Sequence, residues 1–560
     1  MRPARVGILT AALALAVWAG GPGAAPPAAD LVVLDATIHT AAQGPTRAEA
    51  MAVRGGRIVA VGTSIDVRRY VGEATEVLEL RGRTVLPGLI DSHGHLDNLG
   101  HTLDIVDLVG TPSYEEVIAR VVERARQAPA GAWLEGRGWD QNDWPEPALP
   151  HHDALSRATP DHPVVLERVD GHAVLVNRLA LDRARIDRGT PDPPGGKIER
   201  DAVGEPTGVL VDGATALVES LIPPPSPAER ERRLLAAMNA CAAVGLTMVH
   251  DAGISGATRD AYQRLLERRA FPIRVYAMAS GSDALAAEVL DRGPETGDRF
   301  TLRAIKVWVD GALGSRGALL STPYTDRPGH VGLETFPRER LFELARRARQ
   351  RGIQMRVHAI GDLGNMRAID AYENAFNGGP HPELRWAVEH AQVVRPADIR
   401  RFARLGVVAS MQATHATSDG PWAEERLGPE RVKWSYAWRQ FLSAGARLAN
   451  GSDFPVESVN PMLGLYAAIT RRDLDGRLPA TGWRPEERLT PEEALRSFTA
   501  TGAWLAFRER DLGTLEVGRL ADFVVLDRDP IAGPPADIPK TRVLRTVIGG
   551  TTVYQAPPDR

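Results

Sequence analysis

The chain of 560 residues is poor in sulfur and in aromatic groups, with a single cysteine, Cys241, and 6% aromatic residues. One thiol excludes an intramolecular disulfide framework and a metal cluster held by several thiolates. Lysine and arginine number 67 against 71 aspartates and glutamates, so the chain lacks the basic surplus of a nucleic-acid binder. We therefore expect no nucleic-acid partner, and the 14 histidines become the main candidate metal ligands.

Two well-known catalytic motifs are also missing from the sequence. It contains neither a Walker-type phosphate loop nor an intact Gly-x-Ser-x-Gly segment. Nothing in the chain therefore supports nucleotide-driven chemistry or a serine hydrolase.

The N-terminus differs in kind from the rest of the chain. Residues 1–5 are basic, 6–18 are almost wholly apolar, and 19–29 are rich in glycine, proline and alanine. The apolar run is shorter than the roughly 20 residues that a membrane-spanning helix needs. The order of the three parts predicts a secretory signal peptide over 1–29, with a misassigned start codon or a disordered tail as the alternative. We expect an exported protein, periplasmic or extracellular, with no membrane association after signal removal.

Both ends of the chain have the composition of β-structure. The segments "AMAVRGGRIVAVGT" and "EVLELRGRTVLPG" near the start, and "LEVGRLADFVVLDRDP" near the end, are short β-rich runs separated by turns that contain glycine. We predict a small β-sandwich domain assembled from residues 30–86 and 506–560.

Between these ends, eight strand-like segments alternate with helical patterns, an order that predicts parallel pairing and an α/β fold. In chain order they are "GLIDSHGH", "LTMVHDAG", "FPIRVYAMA", "LRAIKVWVDG", "GIQMRVHAIG", "LRWAVEHAQ", "GVVASMQATH" and "ARLANGSDFP". We expect a (β/α)8 TIM-like barrel over 87–505, with an open doubly wound sheet as the alternative. The stretch at about 101–226 is too long for a loop and predicts an inserted subdomain after barrel strand 1.

Histidines and an aspartate stand at the carboxyl ends of several of these strands, where barrel active sites lie. His93 and His95 end the first strand, and side chains two positions apart on a strand point the same way. His358 ends the fifth strand, His390 ends the sixth, and Asp453 follows the eighth. Taken singly, each is compatible with an ordinary surface, core or turn position. Their conjunction predicts a metal site at the barrel mouth.

The fourth strand places a lysine inside the predicted barrel. Its inward face carries Leu302, Ala304, Lys306, Trp308 and Asp310, and its other face is apolar. Burial lowers the pKa of an ammonium group, and a neutral amine can react with carbon dioxide to give a carbamate whose oxygens bind two metals. A lysine paired with Asp310 or another barrel acid is the alternative.

Together these segments resemble the metal-dependent amidohydrolase superfamily, and within it the amidohydrolase-3 branch of N-substituted formamide deformylase-like and YtcJ-like proteins. The matching pieces are "GLIDSHGH", "KVWVDGALGSR", "VHAIGD", "EHAQ" and "GSDFPV", in that order, flanked by "GRIVAVG" and "LEVGRLADFVVLD". The resemblance covers about 30–555 and implies two divalent metal ions, usually zinc. The metal ligands that it implies are His93, His95, Lys306, His358, His390 and Asp453.

The resemblance also implies how these ligands divide. His93 and His95 would bind one ion with Asp453, the histidines of the fifth and sixth strands would bind the other, and Lys306 would bridge both as its carbamate. Some relatives use a bridging cysteine or glutamate, or one metal. Cys241 lies in a predicted helix, so a cysteine bridge is not expected. Asp453 beside the metal is the expected general acid and base.

Candidate substrate contacts come from regions that, by resemblance, line the pocket. We favour His172 as a catalytic contact to the substrate or transition state. The further candidates are Trp139, Asn142, Asp143, Trp144, Asp170, Ser315, Arg316, Gln412 and His415. The alternative is that the tryptophans pack the inserted subdomain and that Arg316 forms a surface ion pair.

The expected function is hydrolysis of an amide or formamide C–N bond in a small molecule by a metal-activated hydroxide. The same scaffold suits a lactone, a cyclic imide or an aminated ring. A non-catalytic exported protein that binds a metal or ligand is the alternative from another class. A homodimer and a monomer are both compatible with the sequence.

Overall fold

The computed structural model describes residues 26–169 and 171–558. Most of the predicted signal peptide, and Asp170, lie outside these described residues. In the described part of the chain, no helix has the length and apolar character needed to cross a membrane.

The regular elements succeed one another along the chain with the following bounds. The strands are β1 (Leu31–Leu34), β2 (Thr37–His39), β3 (Arg47–Ala48), β4 (Ala50–Arg54), β5 (Arg57–Gly62), β6 (Glu76–Glu79), β7 (Thr84–Pro87), β8 (Leu89–Gly94), β9 (Val106–Asp107), β10 (Leu134–Trp139), β11 (Val164–Arg168), β12 (Ala173–Val176), β13 (Gly196–Arg200), β14 (Pro206–Asp212), β15 (Leu246–Ile254), β16 (Arg274–Ser280), β17 (Glu295–Thr296), β18 (Phe300–Trp308), β19 (Gln354–Ala359), β20 (Ala387–His390), β21 (Val408–Gln412), β22 (Leu448–Gly451), β23 (Phe523–Leu526), β24 (Val543–Ile548) and β25 (Thr551–Gln555). The α-helices are α1 (Ser64–Arg68), α2 (Leu96–Asp104), α3 (Tyr114–Gln127), α4 (His152–Ala158), α5 (Arg178–Ala184), α6 (Ala216–Glu219), α7 (Pro227–Ala243), α8 (Gly256–Glu267), α9 (Ala284–Arg292), α10 (Arg338–Arg351), α11 (Asp362–Ala375), α12 (Pro396–Leu405), α13 (Ala413–Asp419), α14 (Ala423–Arg431), α15 (Trp438–Ser443), α16 (Pro461–Thr470), α17 (Pro491–Ser497) and α18 (Ala500–Leu505).

Strands from both ends of the chain share one six-stranded sheet, in the order β25-β24-β23-β7-β2-β3. Strand β23 pairs antiparallel with β7, with Val525 opposite Val85. A second sheet, β5-β4-β1-β6, comes from the N-terminal part alone. Val33 and Met51 of this second sheet pack with Val85 and Phe523 in one buried cluster, so the two sheets share a hydrophobic core.

The largest sheet has nine strands, of which eight are parallel in the order β22-β21-β20-β19-β18-β16-β15-β8, and the short β17 pairs antiparallel with β18 beside them. Its two end strands approach each other, because the Asp453 amide just beyond β22 donates a 2.7 Å hydrogen bond to the His93 carbonyl on β8. The result is the nearly closed α/β barrel that the sequence predicts. Since all eight strands run in the same direction, their carboxyl ends meet at one mouth.

The fourth barrel strand, β18, departs from the expected alternation at Arg303. Consecutive residues of the neighbouring strand β16 pair with Leu302 and Ala304, so β18 carries one extra residue there. Leu302 consequently packs in the large core outside the barrel, and its assignment to the inward face is corrected. Ala304 packs inside the barrel, and Lys306, two residues further on, keeps the expected inward direction.

Between β8 and β15 the chain forms a six-stranded sheet of its own, in the order β13-β14-β12-β11-β10-β9. Its core contains Leu134, Leu166 and Leu175 together with Trp139 and Trp144. The rings of the two tryptophans stack with centroids 6.0 Å apart. This segment therefore buries its own apolar side chains.

A charged cluster joins this segment to the barrel helices. Ser226 caps the N-terminus of helix α7 in a capping box, and a proline occupies the first turn of the helix. Asp104, at the end of α2, accepts hydrogen bonds from Arg232 and Arg233 of α7 and from Arg124 of α3. One carboxylate thus ties three helices together.

Candidate metal centre and active site

Two histidines and an aspartate form a compact group at the end of β8. Asp453 Oδ1 lies 3.3 Å from His93 Nε2 and 3.1 Å from His95 Nε2. Ligands about 2.0–2.1 Å from one tetrahedral zinc ion are separated from each other by about 3.3 Å. Each of these two separations from Asp453 is that of ligands sharing one divalent ion, while the three ligand atoms that all lie within 4.8 Å of one another belong to His93, His390 and Asp453.

Two further histidines lie beside this group, from the fifth and sixth barrel strands. The rings of His358 and His390 have centroids 4.4 Å apart, and the ring of His390 lies 5.1 Å from that of His93. Among the described residues, His358 Nε2 and His390 Nδ1 are buried without a hydrogen-bond partner. Burial, reinforced by Lys306, lowers the pKa of His358 to about 3, and burial lowers that of His390 well below its usual value. Both imidazoles are therefore neutral, which is the form that binds metal.

Lys306 is fully buried between these two groups. Its ammonium donates a hydrogen bond of 3.2 Å to His93 Nε2 and lies 4.8 Å from the centre of the Trp308 ring. Burial lowers the pKa of Lys306 to about 8, although the carboxylates of Glu389 and Asp453 oppose this effect. A fraction of the amine is therefore neutral near pH 7, as carbamate formation requires.

Glu389 is a residue of the site that the sequence reasoning missed. It is fully buried, and its carboxylate accepts hydrogen bonds from His93 Nδ1 and from Arg356 Nε. Burial alone would raise the pKa of Glu389, but Arg356 and His93 outweigh it and hold that pKa well below its usual value. Burial and Lys306 would lower the pKa of His93, but Glu389 and Asp453 outweigh them and raise it. Because the Glu389 carboxylate holds a proton on Nδ1, displacement of the Nε2 proton by a metal ion would leave the Nε2 lone pair facing the site.

A backbone turn at the end of β20 explains why both Glu389 and His390 reach the site. Ala387 packs inside the barrel and Val388 packs outside it, so alternation places Glu389 inside and would place His390 outside. His390 has φ of 69°, in the left-handed region, and Asp453 has φ of 62°. Such a backbone costs a non-glycine residue roughly 1–3 kcal/mol. It turns His390 back toward the mouth of the barrel.

Asp310 fixes the backbone next to His358, one of the second pair of histidines, through hydrogen bonds. Its carboxylate accepts hydrogen bonds from the amides of Leu319, Ile360 and Gly361, and Oδ1 lies 3.4 Å from His358 Nε2, outside hydrogen-bonding geometry. Burial raises the pKa of Asp310 to about 7, although the backbone amides counteract this effect. Asp310 is thus held by backbone amides and is not the partner of Lys306, whereas two other barrel acids, Glu389 and Asp453, favour the charged form of Lys306.

A cavity of about 380 Å³ opens at this end of the barrel, and all six predicted metal ligands line it. The apolar part of its wall includes Trp308, Leu313, Ile360 and Trp422, and the polar part includes Gln392, His415, Asp419 and Glu457. The ring of His415 is parallel to that of His390, with centroids 5.8 Å apart. The predicted substrate contact His415 is thus brought to the predicted metal ligands.

Several other predicted contacts lie in the inserted segment, away from this wall. Trp139 and Trp144 are buried, and their indole nitrogens donate to the carbonyls of residues 166 and 111. They pack the core of the segment, as the alternative reading expected, and their assignment to the pocket is corrected. Asn142 and Asp143 are exposed beside them in a 3₁₀ helix. His172 is exposed and its Nδ1 lies 2.8 Å from Asp212 Oδ1.

The remaining predicted contacts follow β18 and β21. Ser315 is exposed, and Arg316 pairs with Asp326 at 2.7 Å, so neither is part of the cavity wall. Gln412 is buried at the end of β21, and its Oε1 has no hydrogen-bond partner among the described residues. Gln412 lies next to the site, but it is not among the residues that line the cavity.

The side chains at this mouth fit a divalent metal by three observations. Atoms of His93, His390 and Asp453 lie within 4.8 Å of one another. The neighbouring His358 offers a neutral imidazole whose Nε2 is buried without a partner among the described residues. Neutral imidazoles and an ionised carboxylate are the donors that zinc prefers in proteins.

Comparison with known proteins shows the family of the chain. The profile of the amidohydrolase family matches residues 76–554. YtcJ of Bacillus subtilis (strain 168) is 36% identical over 526 residues, which cover 92% of this chain and 98% of YtcJ. N-substituted formamide deformylase of Arthrobacter pascens is 31% identical over 546 residues, which cover 94% of this chain and 98% of that enzyme. A crystal structure of an uncharacterized metal-dependent hydrolase from Pyrococcus furiosus has a TM-score of 0.74 at 30% identity and covers 90% of this chain and 99% of its own. The chain therefore belongs to the amidohydrolase family, as its sequence motifs predict.

Proposed function

We propose that the protein is an exported metal-dependent hydrolase that cleaves a carbon–nitrogen bond other than a peptide bond, of amide or formamide type, in a small molecule. The observation that carries this proposal is the convergence of four histidines, a lysine and an aspartate on one cavity at the barrel mouth. Membership of the amidohydrolase family supports hydrolysis. The similarity to N-substituted formamide deformylase supports a bond of this type.

The ligand set suits two divalent ions, with zinc as the expected metal. His93, His95 and Asp453 would hold one ion, and the histidines of β19 and β20 would hold the other. Lys306, as its carbamate, would bridge them. Such ions supply Lewis acidity toward the scissile carbonyl and lower the pKa of a coordinated water to about 7.

Asp453 is the group to which we assign proton transfer. Hydrolysis adds one water across the C–N bond, so a proton must pass from the attacking water to the leaving nitrogen. Burial alone would raise the pKa of Asp453, but His93 and His95 outweigh it and keep that pKa well below its usual value. The carboxylate is therefore ionised, accepts the proton of the water, and returns it to the leaving amine.

His415 is the substrate contact that the geometry favours. Its Nε2 is buried without a hydrogen-bond partner among the described residues and lies 3.9 Å from Asp453 Oδ2, too far for a hydrogen bond between them. A substrate amide between the two side chains would use both groups. His172 does not line the cavity, so the mechanism that we propose makes no use of it.

The alternative functions share this cavity and differ in what happens to the bound molecule. A lactone, cyclic imide or aminated ring would use the same ligands, so the reaction class is decided by turnover. A non-catalytic binding protein would hold metal with the same ligands but would not need Asp453 beside an open position for water. Export is proposed from the sequence alone, and mass spectrometry of the N-terminus of the mature protein tests it.

Substitution of Asp453 tests the proposed reaction. The Asp453→Asn variant removes the proton acceptor while keeping the shape of the side chain, so we expect bound metal to be largely retained and turnover of N-formyl and N-acyl amides to be lost. Asp475→Asn, at an exposed carboxylate, is the matched control. Turnover near that of the wild type in Asp453→Asn would refute the role. An absence of turnover on any amide, ester or lactone by the metal-loaded wild type would favour the binding protein.

A further inference from the structure

One wall of the catalytic cavity carries a carboxylate that neutral groups hold in place. Gln392 Nε2 donates to Asp419 Oδ2 at 3.1 Å, and the Tyr436 hydroxyl donates to the same oxygen. Gln392 and Tyr436 are themselves held together by a hydrogen bond from the Tyr436 amide to the Gln392 carbonyl, 2.7 Å long. Both polar contacts therefore go to Oδ2, and no described residue donates a hydrogen bond to Oδ1.

A second carboxylate lies next to Asp419 on the same wall. Ser418 Oγ donates to Glu457 Oε1 at 2.6 Å, which brings the loop after Asp453 against the end of helix α13. Burial raises the pKa of Asp419, and the neighbouring Glu457 carboxylate adds to that rise. Two acidic side chains are thus held close together without a cation between them.

His415 on the same wall lowers the pKa of Asp419, but no lysine or arginine among the described lining residues pairs with either carboxylate. Among the described residues that line the cavity, Lys306 is the sole lysine or arginine, and its ammonium is bonded to His93. Arg426, which lies over the outer side of this region with its guanidinium 5.5 Å from the Trp422 ring centre, pairs with Asp326. Trp422 and Trp308 add aromatic faces to the wall, and such faces attract cations.

We propose that Asp419 and Glu457 form a cation-binding subsite of the catalytic cavity, so that the substrate is an amide that also carries an ammonium or guanidinium group. A half-buried carboxylate with one free oxygen, a second carboxylate beside it, and aromatic walls recognise a positive group. A cavity of about 380 Å³ accommodates a small molecule with both the amide and the cation. This inference rests on the proposed hydrolase function.

The test compares substrates that differ in one charge. N-Formyl-1,5-diaminopentane and N-formylhexylamine place the charge, or its neutral isostere, on the leaving amine, while 6-aminohexananilide and heptananilide place it on the acyl part. For the metal-loaded wild type we expect kcat/KM to favour the cationic member of at least one pair by about tenfold or more, the value of one charge-assisted hydrogen bond. In Asp419→Asn and in Glu457→Gln, we expect that preference to fall about tenfold, mainly through KM.

One control variant and one independent variant make the result decisive. Glu425→Gln, at a 72% exposed carboxylate on the neighbouring helix α14, should leave the preference as in the wild type. Because Asp419→Asn disturbs the contacts to Gln392 and Tyr436, the surface-loop variant Glu457→Gln provides an independent measurement. Equal kcat/KM for the charged and neutral members of both pairs would overturn the subsite, as would an undiminished preference in both variants.

A binding measurement separates this inference from the hydrolase proposal. Isothermal titration of the metal-loaded protein with hexylammonium and with hexan-1-ol requires no turnover. We expect the ammonium to bind about tenfold more tightly than the alcohol, and we expect the difference to shrink in Glu457→Gln. Binding of this kind without hydrolysis of any amide would sustain the subsite and refute the proposed reaction. Hydrolysis of amides with no preference for the ammonium would support the proposed reaction and refute the subsite.

Discussion

The imidazole of His93 donates a hydrogen bond from Nδ1 to the buried carboxylate of Glu389, a residue 296 positions away in the chain. Arg356 holds the other oxygen of that carboxylate. The three side chains form a chain of contacts across the barrel that leaves His93 Nε2 directed at Asp453 and Lys306. The orientation of the first candidate metal ligand is therefore set by a residue outside the candidate ligand set.

Glu389→Gln should weaken metal binding because a neutral amide no longer fixes the tautomer of His93 or raises its basicity. For a carboxylate that hydrogen-bonds a metal-binding histidine, the expected loss in metal affinity is about 10–100-fold. Competition with a zinc chelator of known affinity measures it. Glu383→Gln, at an exposed carboxylate paired with His381, is the control. Equal zinc affinity in Glu389→Gln and the wild type would show that His93 needs no such support.

Lys306→Ala should abolish the proposed bridge between the two ions. We expect activity to fall about 100-fold or more, since the oxygens that hold both ions in place are lost. Added acetate or propionate, which can supply carboxylate oxygens in the vacated space, should restore part of the activity. Lys540→Ala, at an exposed lysine, is the control. Retained activity without added carboxylate would exclude a bridging role for Lys306.

Gly94→Ala tests the close packing between the two histidines of β8. A Cβ atom at Gly94 would lie 2.5 Å from the ring of Phe454, which directly follows Asp453. The ring must shift, and we expect kcat to fall because Asp453 moves with it. Gly44→Ala is the matched control, since nothing lies within 4 Å of a Cβ atom there. Wild-type kcat in Gly94→Ala would mean that Phe454 moves without disturbing its neighbour.

Asp104 should contribute a stability that depends on pH. Burial alone would raise its pKa, but hydrogen bonds from Arg232 and Arg233 outweigh burial and lower the pKa from 3.8 to about 2. Because the folded value is the lower one, the contribution is fully present above about pH 4 and is lost as the pH falls toward 2. After allowance for solvent screening we expect about 1–2 kcal/mol.

Unfolding by urea at several pH values measures this contribution. At pH 7 the Asp104→Asn variant should be less stable than the wild type by the stated amount, and the difference should narrow between pH 4 and pH 3. Asp291→Asn, at an exposed carboxylate 3.9 Å from Arg347, should show no such trend. A difference that is constant from pH 7 to pH 3 would contradict the lowered pKa of Asp104.

The barrel and the meeting of the candidate ligands at its mouth were predictable because the signals are local and repeated. Each of the eight strands is a short apolar run, and His93, His358 and His390 stand where those runs end. Parallel strands carry their carboxyl ends to one rim, so the order of the motifs was enough to predict that the ligands meet.

The features that the sequence did not predict depend on local irregularities of the backbone. The simple alternation of side chains along a strand does not indicate where these irregularities occur. The left-handed backbone of His390 lets two consecutive residues reach the site, so Glu389 was overlooked. The extra residue at Arg303 sends Leu302 to the outer core. A glutamate beside a ligand histidine in an otherwise apolar strand is the signal that could have indicated Glu389.

Substrate contacts were the least predictable part of the site. Trp139 is aromatic and lies near polar residues in the sequence, which suggested a pocket position. In the structure it packs in the hydrophobic core of its own sheet instead. Asp419 and Glu457 come from a helix end and a loop whose mutual approach depends on the closed barrel. No spacing in the sequence indicates that they share a wall.

The most direct test of the metal centre is anomalous X-ray diffraction at the zinc edge. The crystals are of the wild-type protein grown with zinc. We expect two peaks at the barrel mouth, one about 2.0–2.2 Å from His93, His95 and Asp453. The other should lie at the same range from His358 and His390, with density for a carbamate on Lys306 between them. A mouth without any anomalous peak at these side chains would contradict the metal-dependent hydrolase that we propose.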